Sequence, residues 1–123
     1  MTGEEILKME TGPELDRLVA EQIMGWREGQ DTLKLQGGVG ILGEKALPRY
    51  STDIVAAMEV VERFVELKHK ISMHSPGIFT RDKWRVAVWS PVRGVGMRRF
   101  DATSLPVAIC RAALAVMEEI HAL

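Results

Sequence analysis

A single cysteine, Cys110, stands among 123 residues. It cannot close an internal disulfide, so the chain must rely on its apolar core and is expected in a reducing compartment. No apolar run approaches the roughly 20 residues that a membrane span needs, and the acidic start (Glu4, Glu5) is unlike a secretory leader. Neither sign of charge dominates: 16 Lys+Arg oppose 17 Asp+Glu for a formal net charge of −1. Nothing in that total advertises strong nucleic-acid binding. Also missing are a Walker lysine motif, paired Cys or His at metal-ligand spacing, internal repeats and low-complexity stretches. These absences predict a protein of the cytoplasm that needs no membrane, no metal and no cofactor.

What is there suits one α+β domain over residues 1–123. A chain of this size buries roughly two-thirds of its unfolded surface, enough for a core without staples. Thr11 or Gly12 caps a first helix with Pro13 in its first turn, and Leu15, Leu18, Val19, Ile23 and Trp26 recur on one face. Residues 2–9 add a short helical arm. Five glycines and Pro48 make 28–48 a flexible loop with room for one short strand at Thr32–Gln36. Ser51 or Thr52 caps a second helix that ends near Lys68–Lys70, with Ile54, Met58, Val61 and Val65 as its buried stripe. Period-two alternation over 83–89 sets Trp84, Val86 and Val88 opposite Arg85, Ala87 and Trp89. A turn after Pro91 leads to a second antiparallel strand over Val95–Asp101, and Ile71–His74 adds a third. Thr103 or Ser104 caps the last helix, whose stripe is Ile109, Ala113, Val116, Ile120 and Leu123. The order implies a small antiparallel sheet of two to four strands packed between α-helices, an α-β-α sandwich.

Three groups of residues bear on chemistry. Gly38, Gly40 and Gly43 match a dinucleotide fingerprint in letters only, because Pro48 follows too soon for the helix that would hold a pyrophosphate. Arg49, Tyr50, Ser51, Thr52 and Asp53 set a cation, an aromatic plane and two hydroxyls at the free amides of a helix N-terminus. That grouping suits a phosphate, or is a helix cap with Tyr50 as its staple. Arg81, Lys83, Arg85, Arg93, Arg98 and Arg99 face only Asp82 within 81–99. Such a stretch attracts an anion or is the solvated, charge-guarded edge of a sheet. The three histidines and Cys110 assemble neither a metal site nor a nucleophile, so no catalytic residue is expected.

Met24-Gly25-Trp26, Pro48-x-Tyr50-Ser51-Thr52-Asp53-Ile54 and Ala108-Ile109-Cys110-Arg111-Ala112-Ala113-Leu114 resemble the phage ABA sandwich domain, a family of small bacteriophage and prophage proteins. So do Ile6-Leu7-x-Met9 and Glu14-Leu15-Asp16-x-Leu18-Val19-Ala20-Glu21. The resemblance implies an α-β-α fold and a phage protein working in the host cytoplasm, with no established activity. Phages use many small genes against host defences, including sponge proteins that sequester nucleotide immune signals without cleaving them. By that analogy the chain is expected to be a homo-oligomeric, non-enzymatic sponge for a small anionic nucleotide-type ligand. Trp26, Tyr50 or Trp89 would stack a base. Arg49, Arg85, Arg98 or Arg99, with Ser51 and Thr52 at the helix start, would hold phosphates, while Asp53 complements the helix dipole from the side. The alternatives are a nucleic-acid- or protein-binding regulator and a packaging or structural accessory without a ligand. A double-stranded-RNA-binding domain shares the order of elements but carries lysines where this chain has Asp101-Ala102-Thr103-Ser104.

Overall fold

The computed structural model describes residues 11–25, 48–78 and 81–122. The elements run α1 (Pro13–Gln22), α2 (Ile54–Glu66), β1 (Lys70–His74), β2 (Trp84–Trp89), β3 (Met97–Ala102) and α3 (Leu105–His121). The expected arm at 2–9, Trp26, the strand at Thr32–Gln36, the glycine loop as far as 47, and Leu123 lie outside the described residues.

The three strands form an antiparallel meander in the order β1-β2-β3. Its register pairs Val86 with Met73 and Phe100, and Ala87 with Ser72 and Arg99. Cross-strand partners project to the same side. One face therefore carries Ile71, Val86, Val88, Phe100 and Ala102, and α3 packs on it across β2 and β3 while α2 lies beside β1. In turn, α1 packs on α3. This is an α+β fold with the sheet packed against helices. Among the described residues no helix lies on the opposite, outer face.

Pro13 in the first turn starts α1 behind Gly12, whose φ of +146° only glycine adopts without strain. Its face is apolar as expected, with Leu15, Val19, Ala20 and Ile23 buried. The buried stripe of α2 is rotated from the expected one. Ala56, Ala57, Val60, Val61 and Phe64 are buried, whereas Ile54, Met58 and Val65 are exposed. Where α2 meets α3, both helices bury alanines, and these small side chains set the buried face because they let the backbones approach. The helix also stops earlier than expected, at Glu66. Lys68 turns left-handed (φ 70°), and the His69 and Lys68 amides donate back to the Phe64 and Val65 carbonyls in a Schellman closure. Likewise β3 starts at Met97 rather than Val95, since Val95 is still held in the turn by its amide donating to the Val92 carbonyl. Ser104 caps α3, accepting from the Val107 amide at 3.5 Å.

Candidate functional site

The residues expected to form one site fall in two places. Around the start of α2 the polar groups satisfy one another. The Ser51 hydroxyl accepts from the Gly12 amide at 3.2 Å, and the Ser51 amide donates to Oδ1 of buried Asp16 at 2.7 Å. The Arg49 carbonyl accepts from the Thr52 and Asp53 amides. The cap is Asp53, not Ser51 or Thr52: its Oδ1 accepts from the Val55 amide at 2.9 Å. Ser51 cannot cap because its hydroxyl is spent on α1. Tyr50, only 1% exposed, lies in the core with its phenol pushed up to about 12, chiefly by burial and then by Glu59, Cys110 and Asp16. Its ring is therefore closed to a stacking base. Only Arg49 and Thr52 on 49–52 face solvent, and the helix N-terminus is a brace between α1 and α2.

The strand arginines divide by alternation. Arg98 lies on the helix side, where its Nε donates to Glu119 of α3 at 3.0 Å. Arg85 and Arg99 lie on the outer face, and the cavity they line includes neither Arg49 nor another residue of the α2 start among the described residues.

The outer face carries Lys70, Ser72 and His74 from β1, Arg85, Ala87 and Trp89 from β2, and Met97, Arg99 and Asp101 from β3. At one end His74, Ser75, Gly77, Ile78, Arg85 and Arg99 surround an open cavity of about 590 Å³. Arg85 is fixed there by Asp101, donating through Nε and Nη2 at 2.8 and 3.1 Å. That hydrogen bond holds the Asp101 carboxyl below its ordinary range and raises the guanidinium. Arg99 is exposed and has no partner among the described residues. The adjoining turn holds Arg81 and Asp82 at φ 54° and 64°, a left-handed geometry costing of order 1–2 kcal/mol per ordinary residue. At the other end Lys70, Ser72, Ala87, Trp89 and Met97 line a smaller hollow of about 330 Å³. Trp89 is 40% and Met97 52% exposed, and the Lys70 ammonium sits 5.6 Å from the Trp89 ring centroid.

Lys70 and Met97 escaped the sequence reading, and His74 enters it only for metal binding and nucleophilic chemistry. Their signal was the polar alternation of Lys70, Ser72 and His74, which acquires meaning once β1 is paired with β2. Among the described residues no group of three or more His, Cys, Asp or Glu could hold a metal ion, and no helix is long and apolar enough to cross a membrane. Cys110 is buried, its thiol pushed up to about 12 by burial and by Asp16.

The family profile of the phage ABA sandwich domain matches residues 17–114, which include every described strand and most of the helical core. The chain belongs to the phage ABA sandwich domain family. A 2.0 Å crystal structure of a phage protein from Bacillus cereus ATCC 14579 resembles it with a TM-score of 0.63 and 26% identity, over 89% of this chain and 94% of that one. No curated protein matches the chain. As an ABA sandwich protein it is a phage protein by family, and the outer sheet face is its best-formed candidate site.

Proposed function

We propose that this ABA sandwich protein is a non-enzymatic, oligomeric binder that sequesters a small anionic nucleotide-type immune signal in the host cytoplasm. The observation that carries the reading is the outer sheet face, where Arg99, exposed and without a partner among the described residues, and anchored Arg85 border a cavity on the same surface as exposed Trp89. Cations fixed in a hollow favour an anion, and a nearby indole favours a planar ring. Binding without chemistry is supported by the inert environment of Cys110. Oligomerisation is supported by Ile54, Met58 and Val65, large side chains at helical spacing that leave an apolar stripe of α2 exposed.

Calorimetry with cyclic dinucleotides, cyclic trinucleotides and ADP-ribose derivatives tests the reading. At least one should bind the wild type and be recovered intact. Arg99→Ala should lower its affinity by roughly 1.5–3 kcal/mol, the range for a hydrogen bond to a charged group, without a change in melting temperature. Arg49→Ala should leave it unaltered. No heat from any compound, or equal heat with Arg99→Ala, overturns this function. Light scattering should report a dimer or larger, and a clean monomer at tens of micromolar, roughly where weak homodimers still form, would rule out the oligomer.

A further inference from the structure

We infer that the Trp89 end of the outer face is the docking surface for α2 of a second copy of this chain, whose apolar stripe of Ile54, Met58 and Val65 seats in the hollow lined by Trp89 and Met97. The proposed function asks for an oligomer without saying which surfaces meet, and this contact names them on residues other than Arg85 and Arg99. At about 100° per residue, Ile54, Met58 and Val65 fall within about 40° of arc on α2, and all three are exposed. On the sheet, Trp89 and Met97 are register partners on β2 and β3, and both are exposed. Tryptophan and methionine are enriched where proteins meet, and a hollow between them receives an aliphatic side chain.

Two apolar surfaces on one chain can meet in three ways, and charge selects among them. Beside its stripe α2 carries Glu59, Glu62 and Glu66, all exposed, against Arg63, which is tied to Glu66 at 3.5 Å. The outer face carries Lys70, Arg85 and Arg99 against Asp101. The helix surface is therefore acidic and the sheet surface basic. Laying α2 on α2, or sheet on sheet, presses like charges together, whereas helix on sheet sets opposite charges face to face. Lys70 lines the hollow and is the cation placed to meet a glutamate of the incoming helix. The cavity of His74, Arg85 and Arg99 stays open at the other end, and a ligand ring meets the indole at the seam. Because the contact joins two different surfaces, each copy offers α2 to one neighbour and its sheet to another, or both to the same one.

The test is sedimentation velocity of the full chain, without added nucleotide, for the wild type, Met58→Glu, Lys70→Glu and an equal mixture of the two variants. The wild type should associate, and each variant alone should associate at least about tenfold more weakly. The mixture should regain a pair of one variant with the other, since the intact α2 of the Lys70→Glu chain still fits the intact sheet of the Met58→Glu chain. Where either variant loses the wild-type circular dichroism spectrum, Val65→Glu and Met97→Glu, both at more than half-exposed positions, take their places. Association lost in Met58→Glu, kept in Lys70→Glu and not regained on mixing would overturn the contact in favour of α2 on α2. The reverse pattern would overturn it in favour of sheet on sheet. Loss in both variants without recovery in the mixture, or loss in neither, would overturn it outright. A monomeric wild type would remove the contact and the proposed oligomer together. A failure to bind any nucleotide, read separately by calorimetry, would remove the proposed ligand and leave this contact standing.

Discussion

The start of α2 and the outer face of the sheet hold similar residues and behave differently. Each has an arginine, an aromatic ring and a hydroxyl within a few residues. At the helix start the hydroxyl and amide of Ser51 are spent on Gly12 and Asp16, and the Tyr50 ring is buried. On the sheet, Arg99 has no partner among the described residues and the Trp89 ring is partly open. Polar side chains that satisfy one another are architecture, because a buried donor or acceptor left unmade costs far more than a made one returns. Groups that stay unsatisfied and solvated are the ones free to exchange water for a ligand. The comparison is open to being broken by substitutions that separate stability from binding.

The largest effect is expected at Tyr50. Removing a fully buried aromatic side chain in Tyr50→Ala should cost about 3–5 kcal/mol by transfer and cavity terms. Denaturant unfolding measures this directly. A loss below 1 kcal/mol, on the scale of an exposed substitution, would mean that the ring is not the anchor its burial implies and would reopen the helix start as a ligand site.

Asp53 sharpens the same contrast at smaller scale. Because it is the cap, Asp53→Ala should cost about 1 kcal/mol of stability, and affinity for any outer-face ligand should not move. Thr52→Ala, exposed and next to the cap, should cost much less. If the two lose equal stability, the assignment of the cap to Asp53 is wrong.

How far the sequence could be read follows the same division between local and long-range causes. The alternation of Trp84 to Trp89 is local, and β2 forms where period two says it should. The membership of Arg98 and Arg99 in different faces was equally local, since neighbours on a strand must point apart. One anion could never have been offered both from the same face. By contrast what removes Ser51 as the cap is the Gly12 amide, 39 residues earlier in the chain, which donates to its hydroxyl. The buried side of α2 is decided by the alanines of α3. His74 gains its place beside Arg85 only through the register of β1 on β2. Pairings of that kind leave no mark within a single segment.

Acid should weaken the helix side of the molecule through His69. Its ring is buried against Phe64, with centroids 4.8 Å apart, and its Nε2 lies 3.1 Å from Ser90 Oγ. Burial lowers its pKa from the ordinary value. The unfolded chain therefore binds more protons in the window between the lowered folded value and about 6.5. Stability from keeping the ring neutral is complete above that window and is lost as pH falls through it. Unfolding free energies of wild type and His69→Gln from pH 7.5 to 5 should show a steeper decline for the wild type. Parallel curves would contradict the burial of a neutral ring.

The smallest expected effect belongs to Arg98, and it tests the division of the sheet most directly because Arg98 and Arg99 are adjacent in sequence. Arg98 reaches Glu119 across the edge of β3 onto α3, and both side chains stay roughly two-fifths exposed. An exposed pair of this kind contributes about 0.2–1 kcal/mol, since water screens the attraction and two long side chains must be ordered to make it. A double-mutant cycle of Arg98→Ala and Glu119→Ala should therefore return a coupling in that range that shrinks as salt is raised. Ligand affinity at the outer face should be unchanged in Arg98→Ala, since the side chain emerges on the helix side of the sheet and its charge is already opposed by Glu119. A loss of affinity matching that of Arg99→Ala would mean that both guanidinium groups reach the same anion. In that case the sheet would no longer separate a braced side from a binding side.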